Sequence, residues 1–123
     1  MNRIFFDLDG TLAEWKQSSS RADLYEQGYF LSLRPNQSLL NAAIRLQQDY
    51  DVFILGAVLK DSLFAFDEKN AWLDKHFPIT KDHRIFVNEG QPKNEGLPGG
   101  IMANDILVDD YSVNLFQWAQ YGR

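Results

Sequence analysis

Four short apolar runs constrain this chain more than any other feature: "RIFFDL" (3–8), "DVFIL" (51–55), "HRIFV" (83–87) and "DILVDD" (105–110). Each is continuous instead of alternating and rich in Val, Ile and Phe, the pattern of strands buried on both faces, as in the middle of a parallel sheet. Helical patterns lie between them. In "NQSLLNAAIRLQQ", Leu39, Ala42, Ala43 and Leu46 share one face, with Pro35 and Asn36 as start signals. In "DEKNAWLDKHF", the stripe predicted is Phe66, Leu73 and Phe77, and Pro78 ends it. In "YSVNLFQWAQYG", Ser112 is placed to cap, Leu115, Trp118 and Ala119 share a face, and Gly122 sits at the C-terminal cap. Strands alternating with helices imply right-handed crossovers and an α/β fold, a Rossmann-like three-layer sandwich on a mainly parallel sheet. At 123 residues the chain suits one domain, 1–123.

Two segments interrupt the alternation. Residues 13–34 contain the polar stretch Ser18-Ser19-Ser20 and then "ADLYEQGYF", read as a short helix ended by Gly28. This insertion is expected over the carboxyl end of the first strand, as a small cap. Residues 88–104, rich in Gly and Pro, read as a long loop with at most one short helix.

Composition excludes several classes. Nine Phe, five Tyr and three Trp with 45% hydrophobic residues describe an ordered globular chain whose packing is dominated by aromatic rings. A net charge of −5 repels polyphosphate, so neither a nucleic-acid polymer nor an anionic membrane surface is an expected partner. No window reaches the ~18 apolar residues of a membrane helix, and the N-terminus enters a strand directly, so a soluble, cytoplasmic protein is expected. With no cysteine, disulfides, thiolate catalysis and Cys-based zinc sites are excluded, and oxygen donors remain for any metal.

The chemistry then centres on aspartates. Asp7 and Asp9 end the first run and Asp109 and Asp110 the fourth. Ligands of open α/β sheets bind outside the carboxyl ends of the strands. If these two strands are neighbours, the carboxylates converge, and such like charges need a cation; a hard ion such as Mg²⁺ suits an oxygen-only donor set. The bland alternative is that Asp-x-Asp is a solvated strand end and that Asp110 or Ser112 merely caps a helix. The conjunction of both pairs at the ends of apolar runs favours a site.

"FFDLDGTL" (5–12), an Asp-x-Asp-x-Thr motif after a hydrophobic strand, resembles the first motif of the haloacid dehalogenase superfamily of phosphotransferases, and "ILVDD" (106–110) resembles its fourth. Lys93 in "GQPKNE" stands where that superfamily keeps its third-motif lysine, and "GYFLSLRPNQSLLNAA" and "ILGAVL" are similar to the branch of cytosolic pyrimidine 5′-deoxyribonucleotidases. The resemblance implies an Mg²⁺-dependent phosphomonoesterase acting on a small phosphorylated substrate, such as a nucleoside 5′-monophosphate. It implies Asp7 as nucleophile and Asp9 as general acid and base, with Lys93 neutralising the phosphoryl oxygens. A metal shell would be drawn from Asp7, the Asp9 carbonyl and Asp110, with Asp109 behind. Gly10 permits a sharp turn, and Thr11 is expected to support the loop and the substrate.

The chain departs from that pattern twice. The second motif ends its strand in Ser or Thr, whose hydroxyl binds the transferring phosphoryl group, whereas Gly56 stands here, with the Ala57 amide as the remaining donor. Members also continue into a further strand after the fourth motif, so the fourth run is expected to be a sheet edge, covered by a loop or by a homodimer partner. The alternative these departures raise is a weakened member that binds phosphate or nucleotide without efficient turnover. Trp15, Tyr25, Tyr29 and Phe30 lie in the insertion; flat rings above a phosphate suit a nucleobase, though they equally suit packing of the insertion on the sheet. His76 and His83, remote from the carboxylates, read as surface or helix-end residues. A receiver domain would need its phosphoacceptor on a middle strand, where only "FVNEG" or "ILGAV" is offered, and no phosphate-binding G-x-x-x-x-G-K-[ST] occurs.

Overall fold

The computed structural model describes residues 1–17 and 20–122; Ser18 and Ser19 of the serine stretch lie outside the described residues. The apolar runs form β1 (Arg3–Phe6), β2 (Asp51–Val58), β3 (Arg84–Asn88) and β4 (Ile106–Val108), in one sheet of order β3-β2-β1-β4 with every pairing parallel. The chain winds outward from β1 to β3 and returns to pair β4 on the other side of β1. The order therefore reverses between β1 and β4, which opens a crevice at their carboxyl ends.

Because side chains alternate along a strand, β1 supplies both cores. Ile4 and Phe6 pack with Ile54, Leu73 and Trp72 on the face covered by α1 (Gln37–Leu46) and α2 (Ala65–His76). Phe5 faces the other way, onto Leu55, Leu107 and Trp118 of α3 (Ser112–Trp118). Asn36 opens α1 as expected, its side chain accepting the Leu39 N–H at 3.3 Å. For α2 the cap is Ser62, whose hydroxyl accepts the N–H groups of Phe64 and Ala65 at 3.2 and 3.1 Å.

Two helix faces differ from the sequence reading. Phe66 is 55% exposed and meets Phe86 edge-on, while α2 buries Ala65, Glu68, Lys69, Trp72 and Leu73. The buried stripe is rotated by about one residue because Glu68 and Lys69, both charged, occupy inward positions with partners described below. In α3 only Trp118 is buried, Leu115 and Ala119 are exposed, and Ser112 makes no cap. Asp109 accepts the Tyr111 N–H instead, at 2.9 Å. In the insertion the expected helix is a single 3-10 turn, Ala22–Tyr25, followed by Gly28 at φ +88°. Among the described residues β4 pairs with β1 alone and lies at one edge of the sheet, as expected.

Candidate active site

β1 ends at Phe6, and the Asp7 N–H still bonds to the Val108 carbonyl at 2.9 Å, so the ladder to β4 carries Asp7 to the crevice beside Asp109 and Asp110. Asp7, Asp109 and Asp110 each offer a carboxylate oxygen, all within 4.8 Å of one another. Lys93, 4% exposed and held in a 3-10 turn, Lys93–Gly96, bridges two of them, donating to Asp7 Oδ1 at 2.8 Å and Asp109 Oδ2 at 2.6 Å. Thr11 Oγ1 donates to Asp7 Oδ2 at 2.9 Å. Both Asp7 oxygens thus have donors, which fixes the plane of the carboxylate.

Asp9 stands apart from that trio. Its carboxylate is paired with Lys69 of α2, whose Nζ also donates to the Ala57 carbonyl at 2.5 Å and lies 4.3 Å from the Phe30 ring centre. Burial pushes the Asp7 carboxyl up to about 7, opposed by Lys93 and reinforced by Asp109. Burial likewise raises Asp9 above the usual carboxylate range, opposed by Lys69. Among the described residues, five acids, Asp7, Asp9, Glu89, Asp109 and Asp110, share a cleft of about 260 Å³ with two lysines, Lys69 and Lys93. An oxygen-only set with this excess of negative charge fits a hard divalent cation.

Of the residues predicted from sequence, Asp7, Asp9, Lys93, Asp109, Asp110, Ala57, Trp15 and Phe30 line this cleft. Three do not. The Thr11 hydroxyl is turned to Asp7 and the residue is buried, so it orients a carboxylate instead of contacting a substrate. Tyr29 is 6% exposed and packs edge-on against Phe30 within the core. Gly56 is buried between strands, and a Cβ there would point at the Phe86 ring, 3.2 Å away, and at Leu8. The cleft-facing position of β2 is Ala57, one residue on, because adjacent strand residues face opposite ways.

Sequence reasoning missed Lys69, Glu89, Tyr111 and Asn114, which also line the cleft. For Lys69 a signal exists: it lies four residues after Ala65 and three before Trp72, on the apolar stripe where an unpaired charge would not be tolerated. The histidines are elsewhere, as expected; His83 bridges Asp51 and Asp82 and stacks on Phe53.

Gly10 is required by this geometry. It has φ +86°, and a Cβ would overlap the Asp110 carboxylate and the Trp15 indole nitrogen. Gly10→Ala is expected to cost about 2 kcal/mol in stability from backbone strain and to displace Asp110 from the trio. The check is urea unfolding together with loss of any melting-temperature gain on adding Mg²⁺.

A family model described as 5′ nucleotidase, deoxy (pyrimidine), cytosolic type C protein matches residues 13–122. The matched span includes Ala57, Lys69, Lys93, Asp109 and Asp110 and begins after Asp7 and Asp9. Among curated proteins no relative matches the chain.

Proposed function

Since the chain belongs to the family of cytosolic type C deoxy (pyrimidine) 5′ nucleotidases, haloacid-dehalogenase-like in fold, we propose that it is an Mg²⁺-dependent phosphomonoesterase working through an aspartyl-phosphate on Asp7. The observation that carries this reading is the meeting of Asp7, Asp109 and Asp110 within 4.8 Å at the sheet's reversal, with Lys93 between two of them. Asp7, Asp110 and the Asp9 carbonyl would hold the metal. Asp109 would stand behind it, its oxygens accepting from Lys93 Nζ, the Tyr111 N–H and Asn114 Nδ2. Bound there, Mg²⁺ neutralises the facing anions, so that a carboxylate can approach a phosphate ester.

In the first step an Asp7 oxygen forms a bond to phosphorus while the bond from phosphorus to the alcohol oxygen breaks. Asp9, whose buried carboxyl retains its proton more readily than an ordinary aspartate, gives that proton to the leaving alkoxide. Asp9 then takes a proton from the water that hydrolyses the acyl phosphate, which restores Asp7. Lys69 holds the Asp9 carboxylate in place between steps, and Lys93 balances charge on the phosphoryl oxygens in a loose transition state. Lys69 and the insertion residues Trp15, Leu24 and Phe30 line the cleft, whose size suits a small ester, a nucleoside 5′-monophosphate being the foremost candidate.

The direct test is phosphate release from a panel of nucleoside monophosphates and sugar phosphates with and without Mg²⁺. No release from any ester would sink the reading. A second reading, a member that binds without efficient turnover, is favoured by Ala57, which lines the cleft at the end of β2 and brings no hydroxyl to it. One such donor is worth 10²–10³ in rate elsewhere. Ala57→Ser is therefore expected to raise kcat about tenfold or more; an unchanged kcat would show that the hydroxyl is not limiting. Gly56→Ser should not help, since its side chain would press on Phe86.

A further inference from the structure

Tyr111 directly follows the acidic pair, and its backbone is held at both ends. Its N–H donates to Asp109 Oδ1 at 2.9 Å, and its carbonyl accepts from Asn114 and Leu115 N–H groups at 3.0 and 3.3 Å in the first turn of α3. From this fixed point Tyr111 lines the cleft together with the insertion residues Trp15 and Phe30, yet it remains 57% exposed. Phe30 packs against Tyr29 and Lys69, whereas among the described residues the Tyr111 ring joins no aromatic pair. A large ring anchored at its root, at a cleft and without a ring partner among the described residues, is a surface for whatever occupies the cleft.

Phosphorus has to lie at Asp7, on the cleft floor, so the alcohol portion of the ester extends toward the rim where Tyr111 stands. We propose that Tyr111 is a specificity residue that packs against the leaving group and favours esters whose alcohol carries a flat ring over open-chain ones. This rests on the reading of Asp7 as the site of phosphoryl transfer. A ring contact remote from the transferring phosphoryl group acts alike on bound substrate and transition state, so it enters KM and not kcat. Stacking of a base on an aromatic side chain is sequence-tolerant and commonly worth tenfold or more in affinity.

The experiment compares kcat/KM for a nucleoside 5′-monophosphate with that for glycerol 3-phosphate in the wild type, Tyr111→Ala and Tyr111→Phe. The expected result is a preference ratio about tenfold lower in Tyr111→Ala, through KM, and nearly restored in Tyr111→Phe. An unchanged ratio, or a loss carried by kcat, would overturn the assignment. Calorimetric titration with the phosphate-free nucleoside decides the same point without turnover. Its dissociation constant should rise about tenfold in Tyr111→Ala, and equal binding by both proteins would overturn the proposal. Should the wild type hydrolyse no ester, the phosphoryl-transfer reading fails while this titration still tests Tyr111.

Discussion

Asp7→Asn is expected to lower kcat by at least about 10³-fold, because an amide cannot form the acyl phosphate and removal of a nucleophile in other hydrolases costs that much or more. The same variant should be no less stable than the wild type above neutral pH without metal. The sign follows from the raised acidity constant. With Asp7 at about 7 in the folded chain and near 3.8 when unfolded, the folded state binds more protons between those values. Its stability from this group is full at low pH and falls as pH rises from about 4 to about 7. An uncharged Asn escapes that loss. Mg²⁺ acts in the opposite sense, since it binds the ionised carboxylates and must displace the proton at lower pH. The melting-temperature gain from Mg²⁺ should therefore be larger at pH 8 than at pH 5.5 in the wild type and nearly absent in Asp7→Asn. An equal gain in both proteins would place the metal elsewhere.

The largest expected effect on stability comes from Glu68, whose carboxylate ties the insertion to α2 beside the cleft. Its buried carboxylate accepts the N–H groups of Gly28 at 2.6 Å, Phe30 at 3.1 Å and Leu31 at 3.4 Å, fastening the insertion to α2. Trp72 adds a second tie one turn on, donating Nε1–H to the Leu33 carbonyl at 2.8 Å. Glu68→Ala leaves those amides without their acceptor, and each such buried loss costs about 1–3 kcal/mol. A total of about 3 kcal/mol, or roughly 10 °C in melting temperature for a chain of this size, is expected. Because Phe30 and Lys69 adjoin the same contact, KM should rise as well. Glu68→Gln, which keeps one acceptor oxygen, should recover part of the loss. A melting temperature within 2 °C of wild type in Glu68→Ala, a bound set by the roughly 3–5 °C expected per kcal/mol, would show that the insertion is held by its apolar contacts alone.

The strands and the convergence of acids were legible because both depend on short stretches. Continuous apolar runs mark doubly buried strands, and a carboxylate directly after such a run emerges at the strand end wherever the strand lies. The same continuity hides which way each residue faces. With apolar neighbours on both sides, "FILGAV" has no alternation to set its phase, so Gly56 and Ala57 could not be told apart until the pairing of Gly56 with Phe86 was known. The α2 stripe was misphased for a related reason: Glu68 and Lys69 look solvent-facing until Gly28, Phe30 and Asp9 are brought to them from distant parts of the chain.

By itself, the order of residues determined that this protein builds a parallel α/β sheet and sends acidic side chains out of its first and fourth strands, since hydrophobic periodicity and strand ends are local properties. Only the tertiary structure decided which charges pair. Lys93 reaches Asp7 across 86 positions and Asp109 across 16, Lys69 takes Asp9, and Thr11 turns inward, because burial demands a partner for every charge and the partner is chosen by distance in space.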